Sequence, residues 1–317
     1  MSAAAIIETQ AFRKEYGRQI VALEGLDLDV PRAAVGLLGA NGAGKSTLIK
    51  GLLGLLRPTS GSATVLGMPV ATEGIEIRQR VGYLPESDCL PRDVTAADFV
   101  GHMAEISGLP TRAARQRAND VLYQVGLNEE RYRLIREFST GMKQRVKLAQ
   151  AIVHEPELVF LDEPTNGMDP QGRDEMLNLI RRIHNDLGIT VVLSSHILGD
   201  VERTCDYVVM LDSGRLVIAG EIDSLRHDST DVLVRIDGNQ QQFIQALGRR
   251  GVQARENGLD IVVQRNGDEI FDVIRDTVVE SGCVMRRLRP SERSLEDVYI
   301  QTVSGLSEDL TEAADGD

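Results

Sequence analysis

The chain has 317 residues, room for one large domain and a small one, and its 42% hydrophobic content is that of a globular protein. A balance of 35 basic against 48 acidic residues (net −13), with 4% aromatics and no Trp, repels polyanions and offers little to stack on bases, so nucleic acid is not expected as principal partner. No apolar run nears the roughly 18 residues that span a bilayer; "MSAAAIIETQ" has no basic residue ahead of its apolar ones, and Cys89, Cys205 and Cys283 show no metal or redox spacing, so a cytoplasmic protein with incidental thiols is expected.

The first strong element is "AAVGLLG" (33–39), a near-continuous apolar strand that runs into "GANGAGKST" (39–47) and a helical pattern. "RVGYLPE" (80–86) is a second strand. "TAADFVGHMAEISG" and "TRAARQRANDVLYQVG" then read as helices, with Thr95 and Thr111 as caps and Gly108 and Gly126 as stops, an all-helical insertion at about 88–156. "REFSTGMKQR" (136–145) opens a further helix. "ELVFLDE" (157–163), "ITVVLSS" (189–195) and "DYVVMLDSG" (206–214) resume the apolar strands. Such strands are buried on both faces, and helices between them imply crossovers, hence an α/β domain with a mostly parallel sheet over 1–228.

From about 229 the pattern restarts. "DVLVRI", "QQQFIQALGRRG", "VQARENG" paired with "LDIVVQR", "DEIFDVIRDTVVESG" and "CVMRRLRP" give the order βαββαβ, a small α+β ferredoxin-like unit over 229–303 that closes with the helix "SLEDVYIQTV" capped by Ser294. The segment 304–317 holds five acidic residues and no basic one, a composition expected to be disordered.

Three stretches carry chemistry. "GANGAGKST" fits G-x-x-x-x-G-K-[ST] between strand and helix. Gly39, Asn41, Gly42 and Gly44 let backbone N–H groups reach phosphate oxygens; Lys45 supplies a point charge, Ser46 a hydroxyl for Mg²⁺, and Thr47 is placed for the α-phosphate. "LVFLDEP" ends a strand in two carboxylates, where ligands bind in such sheets. Asp162 is placed to hold Mg²⁺, and Glu163 to orient and deprotonate water; an acidic pair alone also serves to cap a following helix. "FSTGM" puts Ser139 and Gly141 at a helix start, where unpaired N–H groups and the helix dipole favour an anion. These residues describe a nucleotide hydrolase.

Together the three stretches resemble the ATP-binding cassette (ABC) ATPases, in order over the first 220 residues. The resemblance implies a P-loop NTPase fold with a RecA-like core, an antiparallel β-subdomain and a helical subdomain. It implies that Tyr16 stacks on adenine, that "FSTGM" is the signature usually written LSGGQ, that Asp169 in "NGMDP" lies in the loop crossing a dimer interface, and that His196 in "LSSH" contacts the γ-phosphate. Glu86 stands where the family has glutamine and is assigned to metal and catalytic water. "GYLPE", the "TGMKQR" ending, the ferredoxin-like unit and "SLEDVY" resemble the ATPase subunits of type-2 exporters. The implied partners are ATP, Mg²⁺, a second ATPase subunit, a homodimer in the simplest case, and a permease on another chain at the cytoplasmic face of the membrane. The rival reading is a non-transport ABC ATPase on ribosomes or DNA. It expects two cassettes or a long basic insertion, and the sequence has no second G-x-x-x-x-G-K-[ST]. A module that binds ATP without turnover sits poorly with Glu163 and His196 both present.

Overall fold

The computed structural model describes residues 5–17, 20–227, 231–264, 269–290 and 295–297. The chain divides into two compact units between Glu221 and Ile222. This division lies ahead of residue 229.

In the first unit, β1 (Ile7–Tyr16) and β2 (Ile20–Val30) form an antiparallel pair. The apolar strand β3 (Ala34–Leu38) runs through the glycine loop into α1 (Lys45–Leu52). The strands β4 (Ser60–Val65) and β5 (Met68–Pro69) join β1 and β2 in the order β2-β1-β4-β5. α2 (Gly74–Arg80) leads straight into β6 (Val81–Leu84).

The helical layer follows: α3 (Ala96–Ile106), α4 (Thr111–Gln124), two short 3₁₀ turns, and α5 (Thr140–Ile152). Thr95 caps α3 through its hydroxyl, which accepts from Asp98 N–H at 3.1 Å. Thr111 does not cap α4; Pro110, with its φ fixed at −58° and an extended ψ, is the N-cap, and Thr111 is the first helical residue. Gly108 and Gly126 follow the ends of α3 and α4 with φ of +99° and +79°.

After β7 (Leu158–Asp162) come α6 (Pro170–Leu187), β8 (Thr190–Ser195), α7 (Leu198–Thr204), β9 (Tyr207–Asp212) and β10 (Arg215–Glu221). The central sheet has the order β10-β9-β3-β8-β7-β6, parallel except at its β10 edge. All five residues of β3 and of β7 and all six of β8 are buried, which is why these strands read as unbroken apolar runs. β6 lies flat on α5: a Cβ at Gly82 would sit 1.9 Å from the Ala151 carbonyl oxygen, so a side chain there would drive the two elements apart.

The second unit begins with α8 (Ile222–His227). It continues as β11 (Asp231–Asp237), α9 (Gln240–Arg249), β12 (Ala254–Asn257), β13 (Asp260–Gln264), α10 (Ile270–Glu280) and β14 (Val284–Pro290). Its sheet is antiparallel in the order β12-β13-β11-β14, the ferredoxin-like arrangement. Its own core joins Val232, Val234 and Ile236 of β11 to Phe243, Leu247 and Ile274 of the helices. Of the terminal helix, residues 295–297 are helical with Leu295 buried; Ser294 and the acidic segment lie outside the described residues.

Candidate functional site

The loop between β3 and α1 bounds a cavity of about 310 Å³, lined by Asn41, Gly42, Gly44, Lys45, Ser46 and Thr47 together with Ala22, Ala40, Glu86 and Glu163. Gly44 is the N-cap of α1 at φ +106°, with Ala22 O 2.7 Å from where a Cβ would be, so no other residue fits there without strain and collision. With no capping side chain, the first intrahelical bond is Leu48 N–H to Gly44 O, and the N–H groups ahead of it open toward the cavity.

Lys45, buried to 6% exposure, donates to Gly39 O at 2.6 Å and Ala40 O at 3.3 Å and stands 3.3 Å from Glu163 Oε1. That carboxylate oxygen is buried and has no hydrogen-bond partner among the described residues, although Lys45 is close. The other oxygen, Oε2, lies 3.0 Å from His196 Nδ1. The Glu163 backbone is left-handed (φ +49°), unusual for a non-glycine residue. Its N–H donates to Ser194 Oγ at 2.9 Å; Ser194 in turn donates to Asp162 Oδ1 at 2.8 Å, and Ser46 donates to the same oxygen at 3.1 Å. One buried carboxylate thus organises the loop hydroxyl and the end of β8. Ser194 was not singled out from the sequence; its signal is the hydroxyl pair "SS" that closes an apolar strand.

Glu86 reaches the cavity from the loop after β6, and its Oε1 accepts from Asn166 Nδ2 at 3.3 Å. Lys147 of α5 donates to the carbonyls of Glu86 and Ser87 at 3.2 and 3.1 Å. Negative potential marks this corner: burial first, then Asp162, Cys89 and Glu86, push the Tyr83 hydroxyl up to about 12. Burial lowers the Lys147 pKa, while Cys89, Asp88, Glu86 and Asp162 oppose that shift. Asn166 and Lys147 were also missed: Asn166 opens "NGMDP", where only Asp169 was singled out, and Lys147 lies past the end of "TGMKQR".

Ser139, Gly141 and Asp169 lie elsewhere on the same unit. They line a second concavity of about 450 Å³ with Thr140, Met142, Arg145 and Met168, and the two concavities share no residue. Ser139 is the N-cap of α5 and accepts from Met142 N–H at 3.3 Å. The first intrahelical bond is Lys143 N–H to Ser139 O, leaving the N–H groups of Thr140 and Gly141 ahead of it. Tyr16 ends β1, is 41% exposed and does not line the loop cavity; the Lys14 ammonium lies 5.3 Å from its ring centroid.

Among the described residues no cluster of three or more His, Cys, Asp or Glu can hold a metal ion alone. The Ser46 hydroxyl and the Asp162 carboxylate are two hard oxygen donors, which suits Mg²⁺, an ion that keeps most of its shell as water and phosphate oxygen.

Residues 23–166 match the family model described as ABC transporter. The bacitracin transport ATP-binding protein BcrA of Bacillus licheniformis is 34% identical, covering 95% of this chain and 98% of the relative. The daunorubicin resistance ATP-binding protein DrrA3 of Streptomyces coeruleorubidus is 32% identical, covering 97% and 98%. Among solved structures, cbiO1 from Clostridium perfringens, part of the ABC transporter complex cbiONQ, superimposes with a TM-score of 0.63 at 29% identity, covering 69% of this chain and 89% of that one.

Proposed function

Because the chain belongs to the ABC transporter ATP-binding proteins, we propose that it drives export through a permease on a separate chain, working as one of two ATPase subunits that close on ATP. It is a nucleotide-binding ATPase of that family. The backbone of Gly39, Asn41, Gly42 and Gly44 and the N–H groups of α1 cradle the phosphates, Lys45 neutralises them, and Thr47 approaches the α-phosphate. Ser46 and Asp162 would hold Mg²⁺, with Glu86 lining the same cavity, and the ion would supply positive charge against the phosphates. Glu163 orients the attacking water and takes its proton, and His196, on the other carboxylate oxygen, fixes that orientation and faces the γ-phosphate. Tyr16 stacks on adenine after Lys14 gives up one ring face.

The observation that carries the dimer is the pair of concavities. Each sits at a helix start with N–H groups free to bind an anion, yet Ser139, Gly141 and Asp169 share no wall with Lys45. The phosphate on the second therefore belongs to ATP held by the loop of another copy, in an isologous contact.

Among the described residues no helix is long and apolar enough to cross a membrane. A groove of about 660 Å³ walled by Leu55, Ile75, Met103, Ile106, Pro85 and Cys89 adjoins the Glu86 loop and suits an apolar element of that permease at the cytoplasmic face. Export is supported by the names of the bacitracin and daunorubicin relatives. The second unit, with its own core, regulates or stabilises the dimer.

The test is complementation. Lys45→Ala and Ser139→Arg chains are each inactive alone, but a mixed dimer holds one intact composite site, and ATP-dependent dimerisation with partial turnover returns on mixing. Cross-linked ATP found on residue 139 of the same chain whose Lys45 holds it sinks the reading.

A further inference from the structure

Position 86 poses a charge problem. Glu86 and Glu163 both line the cavity and Asp162 lies just behind it, so three carboxylates converge where a polyanion binds. Like charges so placed disfavour one another and the ligand. The helical layer carries a charge of the opposite sign at that point. Lys147 leaves the middle of α5 with only 3% exposure and donates to the main-chain oxygens of Glu86 and Ser87. No carboxylate among the described residues forms a direct ion pair with it, so its charge is balanced by the surrounding field, and a buried ammonium without a direct partner is disfavoured unless something is gained.

Two further contacts tie the surroundings of that loop to the same helix. Gln144, one turn before Lys147, donates to Asn166 O at 3.5 Å, and the Asn166 amide holds Glu86 Oε1. Below them, Gly82 brings β6 against the Ala151 carbonyl. The loop bearing Glu86 is thus held directly by Lys147 and, through Asn166, by Gln144.

We propose that Lys147 is a positioning residue that makes a carboxylate usable at position 86: it holds the Glu86–Ser87 main chain and supplies the positive charge that offsets Glu86 beside Asp162 and Glu163. This rests on the reading of Glu86 as part of the nucleotide site. With a neutral amide at that position there is no third charge to offset, and the charge of Lys147 becomes dispensable while its packing role stays.

The experiment is a double-mutant cycle on the full chain, comparing parent, Lys147→Met, Glu86→Gln and the double variant by kcat and KM for Mg-ATP. Lys147→Met is expected to lower kcat about tenfold with Glu86 present and no more than about twofold in the Glu86→Gln background, a coupling within the range for neighbouring residues that share a network. The same cycle built on Glu163→Gln reads Mg-ATP affinity, so a Glu86→Gln chain with no turnover still reports; there too the loss is expected only with Glu86. Lys147→Gln, which keeps a donor without the charge, replaces methionine if that variant does not fold. Equal losses in both backgrounds overturn the proposal and leave Lys147 a packing residue. Parental turnover in Glu163→Gln alone overturns the catalytic reading instead, so the two failures are distinguishable.

Discussion

The contact between Lys45 and Glu163 makes Glu163→Gln informative about binding as well as catalysis. In the free chain the ammonium and Glu163 Oε1 are 3.3 Å apart, and their side chains are 6% and 8% exposed. At an effective dielectric of about 20, two unit charges at that separation attract by about 5 kcal/mol, an upper bound from which desolvation and imperfect geometry subtract most. On the proposed reading, ATP draws Lys45 toward phosphate oxygens and leaves Glu163 facing them, so the carboxylate would oppose binding both as a rival partner and as a like charge. Replacing it by glutamine removes both effects, while Gly39 O and Ala40 O still hold the lysine. If about 1.4 kcal/mol of the bound survives, ATP affinity rises about tenfold. Turnover falls by about a thousandfold, within the range for a lost general base. Isothermal titration with ATP, alongside a phosphate-release assay on the same preparation, reads both. Affinity lower than the parent's, with turnover lost, would refute the idea that Glu163 competes for Lys45; turnover at the parental rate would remove Glu163 from the chemistry.

Lys45→Ala is expected to weaken ATP binding about tenfold or more, the loss of a charge-assisted contact, measured by the same titration on protein shown to be folded by circular dichroism. Cys89 is exposed at the rim of the apolar groove while Cys205 is buried, so maleimide labels Cys89 in the isolated chain and is blocked once the permease is bound; unaltered labelling in the complex would place the permease elsewhere. A chain ending at Glu221 is expected to fold and bind ATP, since the loop cavity is built wholly within the first unit; a folded truncation that does not bind would refute that independence.

How much of this was legible depended on burial. β3, β7 and β8 are enclosed on both sides, so apolar continuity marked them and located the loop and the acidic pair at their ends. The second unit was readable because period-2 strands and amphipathic helices alternate, as in β11, whose odd and even positions differ in burial. The antiparallel sheet came only through family resemblance. Along β1 the pairing shifts register between Thr9 and Phe12, where Ala11 takes φ +45°, so the alternation of burial over Ile7 to Gln10 breaks there and no period runs the length of "IETQAFRKEY". The site's motifs were legible because backbone chemistry dictates local spacing. Ser194, Asn166 and Lys147 were not, since each acts on residues 31 to 80 positions away through the fold.

α5 has a mechanical meaning beyond its contacts. Ser139 at its tip and Lys147 in its middle are eight residues apart, about 12 Å of a rod that rises about 1.5 Å per residue. A single helix of that length does not bend appreciably, so whatever nudges its tip displaces its middle by a comparable amount. The Glu86 loop, fastened to that rod, moves with it. In the dimer proposed above, an event at the edge of one nucleotide would reach the Glu86 loop of the other site as a displacement of α5 itself.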